Sequence, residues 1–327
     1  MKLARRKFLE VAAGAATLSA VTRIARAQAY PTRPVRMIVT VAPGSGPDAI
    51  ARLIAQKLSE NVGNQFYVEN VGGAGGNIAT ARAAQAAPDG YTVLVAAIDY
   101  VVNPALFDKI PYDPLRSFEP VVLAGTTNVL LIVNPTLSAR SAKELVALIK
   151  ATPGKYSYAS GNGVGSPGHL AGEQFRLSLG LDLVHVPFNG SSLAVGSVVG
   201  GHTPIGFTAP AAAVPLIKEG KLRALAGTGS RRLDALPDVP TVAEAGYPDI
   251  DVENWYGFLV PARTPKQIVT MLNREVVKII TLPEIKARFS TLGIEPVAST
   301  PQEFAERIEI ELPKWRKIIR EAGIKPE

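Results

Sequence analysis

Apolar positions along most of the chain alternate between short continuous runs and runs with helical spacing. Residues 35–41 form a β-branched run with the length of one strand, and from Asp48 onward Ile50, Ile54 and Leu58 recur at helical spacing until Gly63. A short continuous apolar run predicts a buried strand, and recurrence every three or four residues predicts an amphipathic helix. Because the two patterns keep alternating, the sequence predicts an α/β fold with mainly parallel sheets flanked by helices.

The same criteria assign the remaining elements. Strands are predicted at residues 66–68, 92–98, 129–133, 156–159, 183–186, 205–208 and 222–226, and helices in the Ala-rich stretch up to residue 87 and at residues 142–150, 167–179, 193–199 and 211–218. Beyond residue 264 two long helices are predicted, with Pro265 and Pro301 in their first turns. The second helix carries an apolar stripe that includes Trp315 and is interpreted as core, and Pro313 is expected to kink or split it.

The first 27 residues have the three parts of an export signal. The twin-arginine pair Arg5-Arg6 precedes a weakly apolar run at residues 11–21, and residues 25–27 are Ala-Arg-Ala, a pattern typical of cleavage sites. The apolar run is far shorter than the ~20 residues that span a bilayer. We therefore predict a twin-arginine signal peptide at residues 1–27, cleavage near Ala27-Gln28 and a periplasmic mature protein.

The leader also accounts for most of the net charge. The whole chain carries +7 from 35 basic and 28 acidic residues, and removal of the leader takes away six bases and one acid, which leaves +2. The mature protein therefore lacks the clustered positive charge that nucleic-acid binding requires. The sequence contains no cysteine, which excludes disulfides, zinc-cysteine sites and thiol nucleophiles.

Common catalytic patterns are absent from the sequence. No serine lies in a G-x-S-x-G motif, no phosphate-binding loop ends in Gly-Lys-Ser/Thr, and there is no H-E-x-x-H motif. The histidines are scattered: His185 lies in an apolar run and is interpreted as a core or rim residue, and His202 follows two glycines in an expected turn. We predict no catalytic residue, no metal and no cofactor.

Three glycine-rich loops each connect a predicted strand to a predicted helix. They cover residues 42–48, 72–77 and 160–166. In an open α/β sheet such loops lie at the carboxyl ends of strands, where ligands bind, and each leads to a helix N-terminus whose free N–H groups attract anions. Glycine also lets the backbone approach a ligand closely. Three such loops together predict a site for a small carboxylate.

The order of short motifs along the chain carries a resemblance to one protein family. They include Tyr-Pro-Thr-Arg-Pro at residues 30–34, Ala-Pro-Gly at 42–44, Pro-Asp-Gly-Tyr-Thr at 88–92, His-Val-Pro-Phe at 185–188 and Leu-Pro-Asp-Val-Pro-Thr at 236–241. With these motifs the mature chain resembles, over essentially its whole length, the Bug (TctC-like) family of periplasmic substrate-binding proteins of tripartite tricarboxylate transporters.

The resemblance implies a type II periplasmic-binding-protein fold, in which two α/β domains close on a ligand like a flytrap. Residues 28–128 and 251–327 would form the first domain, and residues 129–250 the second. The ligand would be a small organic carboxylate: a mono- or dicarboxylate, an aromatic carboxylate or an amino acid. The partners would be the membrane permease subunits of a tripartite tricarboxylate transporter, and the protein itself is expected to be a monomer.

Carried over by motif, the implied ligand contacts divide between the two domains, and backbone groups provide most of them. The contacts of the first domain would be Pro43, Gly44, Ser45, Gly46, Asp48, Gly75, Gly76, Ile98 and Asp99. Those of the second domain would be Ser160, Gly161, Asn162, Gly163, Val164, Gly165, His169, Asn189, Gly190, Ser191, Thr208 and Ala209.

Three residues depart from the family pattern. Ser45 stands where a second glycine is usual, Asn189 where lysine is common, and Asp99 where residues are generally small and uncharged. A carboxylate at Asp99 would repel a ligand carboxylate ~4 Å away by about 4 kcal/mol at an effective dielectric constant of about 20. Asp99 is therefore expected either to point away or to meet a positive or hydrogen-donating part of the ligand. For Asp48 we expect mainly a capping role at a helix that starts at Ala49.

Two alternative functions stay open from the sequence. A periplasmic hydrolase or isomerase could use Asp48 or Asp99 with His169. A ligand-sensing accessory of a two-component system would share every feature of a transport protein. A binding protein returns its small molecule unchanged, which separates solute capture from the enzyme.

Overall fold

The computed structural model describes residues 30–325, so the predicted signal peptide at residues 1–27 lies outside the described residues. Within residues 30–325 the chain forms ten α-helices and eleven strands in two sheets. The strands are β1 (Val35–Val39), β2 (Phe66–Asn70), β3 (Thr92–Ala96), β4 (Phe118–Asn128), β5 (Leu130–Val133), β6 (Tyr156–Gly161), β7 (Leu183–Phe188), β8 (Ile205–Thr208), β9 (Arg223–Gly227), β10 (Glu253–Pro261) and β11 (Glu295–Pro296). The helices are α1 (Gly46–Val62), α2 (Asn77–Ala84), α3 (Asp99–Leu106), α4 (Ala142–Ala151), α5 (Pro167–Ser178), α6 (Ser191–Val199), α7 (Pro210–Lys218), α8 (Lys266–Ile280), α9 (Pro283–Thr291) and α10 (Pro301–Ala322). None of these described helices is long and apolar enough to span a bilayer.

The first sheet has the strand order β11-β4-β10-β3-β1-β2. β1 pairs in parallel with β2 and β3, as the predicted βαβ units require, whereas β10 is antiparallel to β3 and β4. The carboxyl ends of β1, β2 and β3 therefore lie on the same side of the sheet as the beginning of β10. We call this side the first edge.

The second sheet has the strand order β7-β6-β8-β5-β9. β6 is parallel to β7 and β8, whereas β5 is antiparallel to β8 and β9. We call the side at the carboxyl ends of β6, β7 and β8 the second edge. Both sheets contain more antiparallel strand pairs than the sequence predicts, since it predicts mainly parallel sheets. The reason is that β5 and β10, with which the chain enters each sheet after a crossing, run against the βαβ strands.

The chain passes between the sheets at two adjacent points. β4 ends at Asn128 in the first sheet, and β5 begins at Leu130 in the second. The chain returns at Glu253, which pairs with Asn128. Neither β4 nor β10 is predicted from the sequence, because Pro120 interrupts the apolar pattern of the first and Gly257 that of the second.

Most other predicted elements are confirmed, with bounds that shift by a few residues, and two differences matter for the site. β3 ends at Ala96, and Asp99 is the first residue of α3, a helix that the sequence does not predict. α10 runs through Pro313 as one continuous helix, so of the two expected outcomes, a kink or a split, the split does not occur. The Trp315 side chain is buried, as its apolar stripe predicts.

One apolar core cluster connects the two sheets. It includes Leu94 from the first sheet, Phe207 from the second, Trp315 from α10 and Tyr100 and Val102 from α3. Two further clusters cover the remaining faces of the individual sheets. Because α3 belongs to the shared cluster, its first residue is held in a defined place at the first edge.

Candidate ligand-binding site

The loops of the two edges approach each other closely. The loop after β6 touches α3, since a Cβ atom added to Gly165 would lie 2.7 Å from Leu106 Cδ2. A second approach joins Pro210, the first residue of α7, to the loop at Gly293, where an added Cβ would lie 3.0 Å from Pro210 Cβ. The structure therefore brings the predicted glycine loops of both sheets into one region.

The loop after β1 leaves the N-terminus of α1 free of internal acceptors. Ser45 is at the N-cap position of α1, but its hydroxyl donates to the carbonyl oxygen of Ala42 (2.8 Å) and does not cap the helix. Consequently the N–H groups of Ser45, Gly46 and Asp48 have no acceptor among the residues that the structure describes. Free N–H groups at the positive end of a helix of 17 residues attract an anion.

Asp48 stabilises this loop from inside the helix. The prediction that it caps a helix starting at Ala49 is wrong, because α1 begins earlier and Asp48 lies in its first turn. Its buried carboxylate accepts from the Gly44 N–H (2.8 Å), Arg52 Nε (3.0 Å) and Asn70 Nδ2 (2.8 Å). Burial raises the pKa of this carboxyl, but these hydrogen bonds outweigh the burial and hold the pKa below its usual value. The Asp48 charge is therefore compensated within the protein.

Asp99, Gly76 and Thr40 converge elsewhere on the first edge. If Gly76 carried a Cβ atom, it would lie 2.6 Å from Asp99 Oδ2 and 3.0 Å from Thr40 Cβ. Gly76 is buried and has a φ of 90°, so both space and backbone conformation require glycine. Thr40 Oγ1 is buried and has no hydrogen-bond partner among residues 30–325. The neighbouring Gly75 is exposed, as a ligand contact would have to be.

The loop after β6 uses several of its own groups internally. The Gly163 N–H donates to the last carbonyl of β7 (3.2 Å), and the Gly165 N–H donates to His169 Nδ1 (3.0 Å). Asn162 is exposed with a φ of 67°, and its side chain donates to Ser191 Oγ (3.3 Å). Two of the glycine N–H groups that the sequence offers as ligand donors therefore already have acceptors.

Two histidines stack behind this loop. The rings of His169 and His185 are parallel within 6°, with centroids 3.9 Å apart, and His185 Nε2 lies 2.7 Å from Ser160 Oγ. Burial lowers the pKa of His169 to about 4, with a further contribution from His185, and burial also lowers the pKa of His185. His185 is half-buried, which confirms the prediction of a rim residue. Both rings line a cavity of about 330 Å³ with Glu173 and Arg176, so His169 supports the loop from behind.

The loop after β7 and the end of β8 complete the second edge. A Cβ atom added to Gly161 would lie 2.4 Å from the backbone N of Ser191, so only glycine fits where β6 meets α6. Gly190 is the N-cap of α6 and provides no capping side chain. Thr208 is the last residue of β8, and its buried Oγ1 lacks a hydrogen-bond partner in the described part of the chain. Thr208 and Thr40 thus present the same unpaired group from opposite edges.

The remaining predicted contacts lie on the same two edges. Pro43 and Asn189 are exposed, and Val164 and Ala209 are half-buried. Among the predicted contacts, Ile98, Ser160 and His169 are buried in or behind these loops.

Three residues at the first edge are missing from the predicted contacts: Thr40, Asn254 and Tyr256. Asn254 Oδ1 accepts from the Ile98 N–H (3.5 Å), and Asn254 Nδ2 donates to Tyr256 Oη (3.3 Å). Tyr256 Oη lies 2.7 Å from where a Gly46 Cβ would be. Thr40 directly follows β1, and that position could have indicated it. Asn254 and Tyr256 belong to β10, which the sequence does not predict.

The two edges together are suited to holding an anion. Ser160 and His185 form a hydrogen-bonded Ser–His pair, but Ser160 is fully buried, so its hydroxyl cannot reach a substrate. The described residues contain no cluster of three or more potential metal ligands. The free groups of the described residues include N–H donors of α1 and two threonine hydroxyls, which bind a charged oxygen without reacting with it.

Comparison with known proteins gives consistent relatives. The family described as "Tripartite tricarboxylate transporter family receptor" (TctC) matches residues 50–324. Protein BugT of Bordetella pertussis is 35% identical over 320 residues, which cover 97% of this chain and 96% of BugT. The Rhodopseudomonas palustris structure of Rpa4515 with adipate is 32% identical, with a TM-score of 0.79 and coverage of 91% of this chain and 100% of that chain. MatC from the same organism, with bound malate, is 31% identical, with a TM-score of 0.74 and coverage of 89% and 100%. The two-sheet α/β architecture is that of two-domain periplasmic binding proteins, as the sequence predicts.

Proposed function

We propose that this chain, which belongs to the TctC family of tripartite tricarboxylate transporter receptors, captures a small organic carboxylate in the periplasm. The ligand would lie between the first and second edges. The observation that carries this proposal is the pair of buried hydroxyls of Thr40 and Thr208 on opposite edges, neither of which has a well-formed hydrogen bond. The first edge also has the free N–H groups of Ser45 and Gly46. Buried polar groups in proteins nearly always have partners. A ligand that contacts both edges would supply the missing partners, with its carboxylate at one of them.

The donors at the two edges are sufficient for useful affinity. Each hydrogen bond to a charged group contributes ~1.5–3 kcal/mol. Four or five of them offset the cost of association and leave the roughly −8 kcal/mol of a micromolar complex. Arg52 is the basic residue closest in sequence to the loop at residues 42–48, and it is paired with Asp48. Backbone and hydroxyl donors therefore provide most of the binding free energy.

The binding event is expected to close two lobes. We assign residues 28–128 and 251–327 to one lobe and residues 129–250 to the other, with the crossings beside Asn128 and Glu253 as the hinge. A ligand that contacts both lobes binds the closed state better and shifts the population toward it. The loaded protein would deliver its ligand to the permease subunits of a tripartite tricarboxylate transporter. A twin-arginine signal at residues 1–27 would export the chain, and a monomer is sufficient for this cycle.

Adipate and malate are the first ligands to test, because two structural neighbours hold them. Titration calorimetry of the purified protein with both acids and their neutral amides should show binding of the acids alone. Nuclear magnetic resonance of the recovered ligand should show it unchanged. If neither acid nor any other small carboxylate bound, solute capture would be refuted, and a transformed ligand would favour the enzyme.

Removing each free hydroxyl gives a sharper test. Thr40→Val and Thr208→Val keep the side-chain shape and should each weaken binding by about 5- to 10-fold, the value of one hydrogen bond of ~1–1.5 kcal/mol. Thr264→Val is the matched control: it is equally buried, but its hydroxyl donates to the carbonyl oxygen of Pro261 (2.7 Å) at the opposite end of β10. Its affinity should stay at the wild-type value. Equal effects of all three substitutions would contradict the assignment of the two edges.

A further inference from the structure

The Asp99 carboxylate has the least compensated charge at the first edge. It belongs to the first residue of α3, is half-buried, and lies against the Cα of Gly76 and the side chain of Thr40. No lysine or arginine contributes to its pKa. By contrast, Asp48 at the same edge has Arg52, Asn70 and a backbone N–H as partners.

The surroundings of Asp99 penalise the ionised carboxylate. Burial raises its pKa to about 6, and the N–H groups of Asp99 and Ala97 and the Thr40 hydroxyl lower it only in part. The Thr40 hydroxyl acts on this pKa as a hydrogen-bond donor to Asp99, but the contact falls short of normal hydrogen-bond geometry, so Thr40 Oγ1 makes no well-formed hydrogen bond with any described residue. Both groups therefore keep unused hydrogen-bonding capacity at the same point.

A purely structural role would leave a different signature. An aspartate in the first turn of a helix that serves as a cap accepts hydrogen bonds of normal geometry from that helix. The N-cap of α3 is Ile98, whose side chain cannot cap, and the N–H groups of Asp99 and Ala97 lower the pKa of Asp99 only in part. A half-buried carboxylate that has no cation beside it destabilises the protein when ionised, which is typical of a group kept for binding.

We propose that Asp99 is a specificity-determining residue that, together with Thr40, receives the ammonium group of the ligand, so that small amino carboxylates are preferred over plain mono- and dicarboxylates. This inference rests on the proposed capture of a carboxylate. The N–H groups of Ser45 and Gly46 and the hydroxyl of Thr208 remain available for the ligand's carboxylate. A second carboxylate placed near Asp99 would meet a like charge and be rejected.

Ligands of equal chain length show how affinity depends on the charge of the group that would meet Asp99. Adipate, caproate and aminocaproate have the same carbon chain and end in a carboxylate, a methyl and an ammonium group. Malate and aspartate form a shorter pair. Calorimetry with wild-type protein should show that the amino acid of at least one set binds at least about tenfold more tightly than its carboxylate counterparts. A tenfold difference in affinity corresponds to one hydrogen bond to a charged group.

Asp99→Asn should reduce affinity for the preferred amino carboxylate by at least about tenfold and leave or improve affinity for the dicarboxylate, so the preference is lost or reversed. Asp108→Asn is the matched control, since it removes the same charge at an exposed position after α3, and it should keep the wild-type preference. If Asp99→Asn does not fold, the same ratio of affinities for the amino carboxylate and the dicarboxylate is measured with Asp99→Ser.

The outcomes distinguish this inference from the proposed function. If wild type binds plain carboxylates and Asp99→Asn leaves every affinity ratio unchanged, the ammonium site is overturned while carboxylate capture stands. If wild type binds no member of either set, the ammonium site is overturned, and carboxylate capture is overturned as well only when no other small carboxylate binds. A wild-type preference for an amino carboxylate that disappears only in the Asp99 variants supports the site.

Discussion

At the first edge two carboxylates, Asp48 and Asp99, lie among the loops, whereas the loops of the second edge, residues 160–166 and 189–191, contain no charged side chain. The nearest titratable groups of the second edge are His169 and His185, whose pKa values are both lowered by burial. The first edge can therefore discriminate between ligands by charge. The second contributes uncharged donors and close backbone packing.

The two carboxylates of the first edge differ in turn. Asp48 has three internal hydrogen-bond donors and a lowered pKa, and Asp99 has no cation and a raised pKa. One carboxylate thus stabilises the loop that presents the N–H groups of α1. The other destabilises the free protein and is suited to contact a ligand.

Gly161→Ala should have the largest effect, because the second edge depends on backbone contact. The new Cβ would lie 2.4 Å from the backbone N of Ser191, and backbone cannot move aside as a flexible side chain can. We expect a loss of about 3 kcal/mol in the free energy of unfolding, measured by urea denaturation. Gly190→Ala is the control: nothing lies within 4 Å of its Cβ position, and its φ of 173° suits any residue. Similar losses in both variants would show that close packing does not define this edge.

Asp48→Ala should have the next largest effect and acts on the first edge. It leaves the Gly44 N–H without its acceptor and Asn70 Nδ2 with only the Val41 carbonyl oxygen, at a cost of about 2 kcal/mol in the free energy of unfolding. The cost stays below the ~3–5 kcal/mol of a broken buried ion pair, because the Arg52 side chain is 54% exposed and regains water. Urea denaturation measures this loss, with Asp108→Ala at an exposed position as the control. An unchanged midpoint would mean that Asp48 does not stabilise the loop.

The contrast between the edges could be predicted only in part from the sequence. Alternating apolar runs and glycine loops indicate which strand ends are candidates for binding, because those features are local. Asn70, which binds Asp48, lies at the end of β2, and the acceptor of the Gly163 N–H is the last carbonyl of β7, so both partners are distant in sequence. Such pairing depends on tertiary packing. Sequence spacing therefore indicates candidate donors but not which of them remain free.

Asn254 illustrates the same limit at the level of elements. It reaches the Ile98 N–H only because β10 crosses back beside β3 after a long excursion through the second sheet. Likewise Asp99 is expected at a strand end but opens α3, since burial of Tyr100 and Val101 in the shared core fixes a helix there. Long-range packing overrides the local pattern in both cases.

Asp99→Asn should stabilise the ligand-free protein and so sharpen the difference from Asp48. The pKa of Asp99 rises from 3.8 to about 6 on folding, so the native state binds more protons in that window and wild-type stability falls as pH rises through it. A pKa shift of this size changes the free energy of unfolding by ~3 kcal/mol at most, and the partial exposure of Asp99 reduces this change to about 1–2 kcal/mol. The gain should be complete above pH ~6 and absent below pH ~4 in urea denaturation. A variant less stable than wild type at pH 7 would mean that the charge is compensated.

His169→Asn should have the smallest effect and tests the neutral character of the second edge. Folding lowers the pKa of His169 from 6.5 to about 4, so its contribution is complete above pH ~6.5 and is lost as pH falls toward the folded value. Asparagine can still accept from the Gly165 N–H through Oδ1, but it does not titrate. Between pH 7 and 5.5, wild type should therefore lose about 1 kcal/mol more stability than the variant.

The comparison with His169→Asn is informative because the neighbours of the ring stay the same. His185, Glu173 and Arg176 all contribute to the pKa of His169 and are present in both proteins, so the difference between the two profiles reports the His169 ring together with its coupling to these neighbours. Replacing the exposed His202 by asparagine controls for loss of a histidine. Parallel pH profiles for wild type and His169→Asn would show that the stacked pair accepts a proton without cost. The second edge would then carry positive charge in mild acid, and the charge contrast with the first edge would widen as the pH falls.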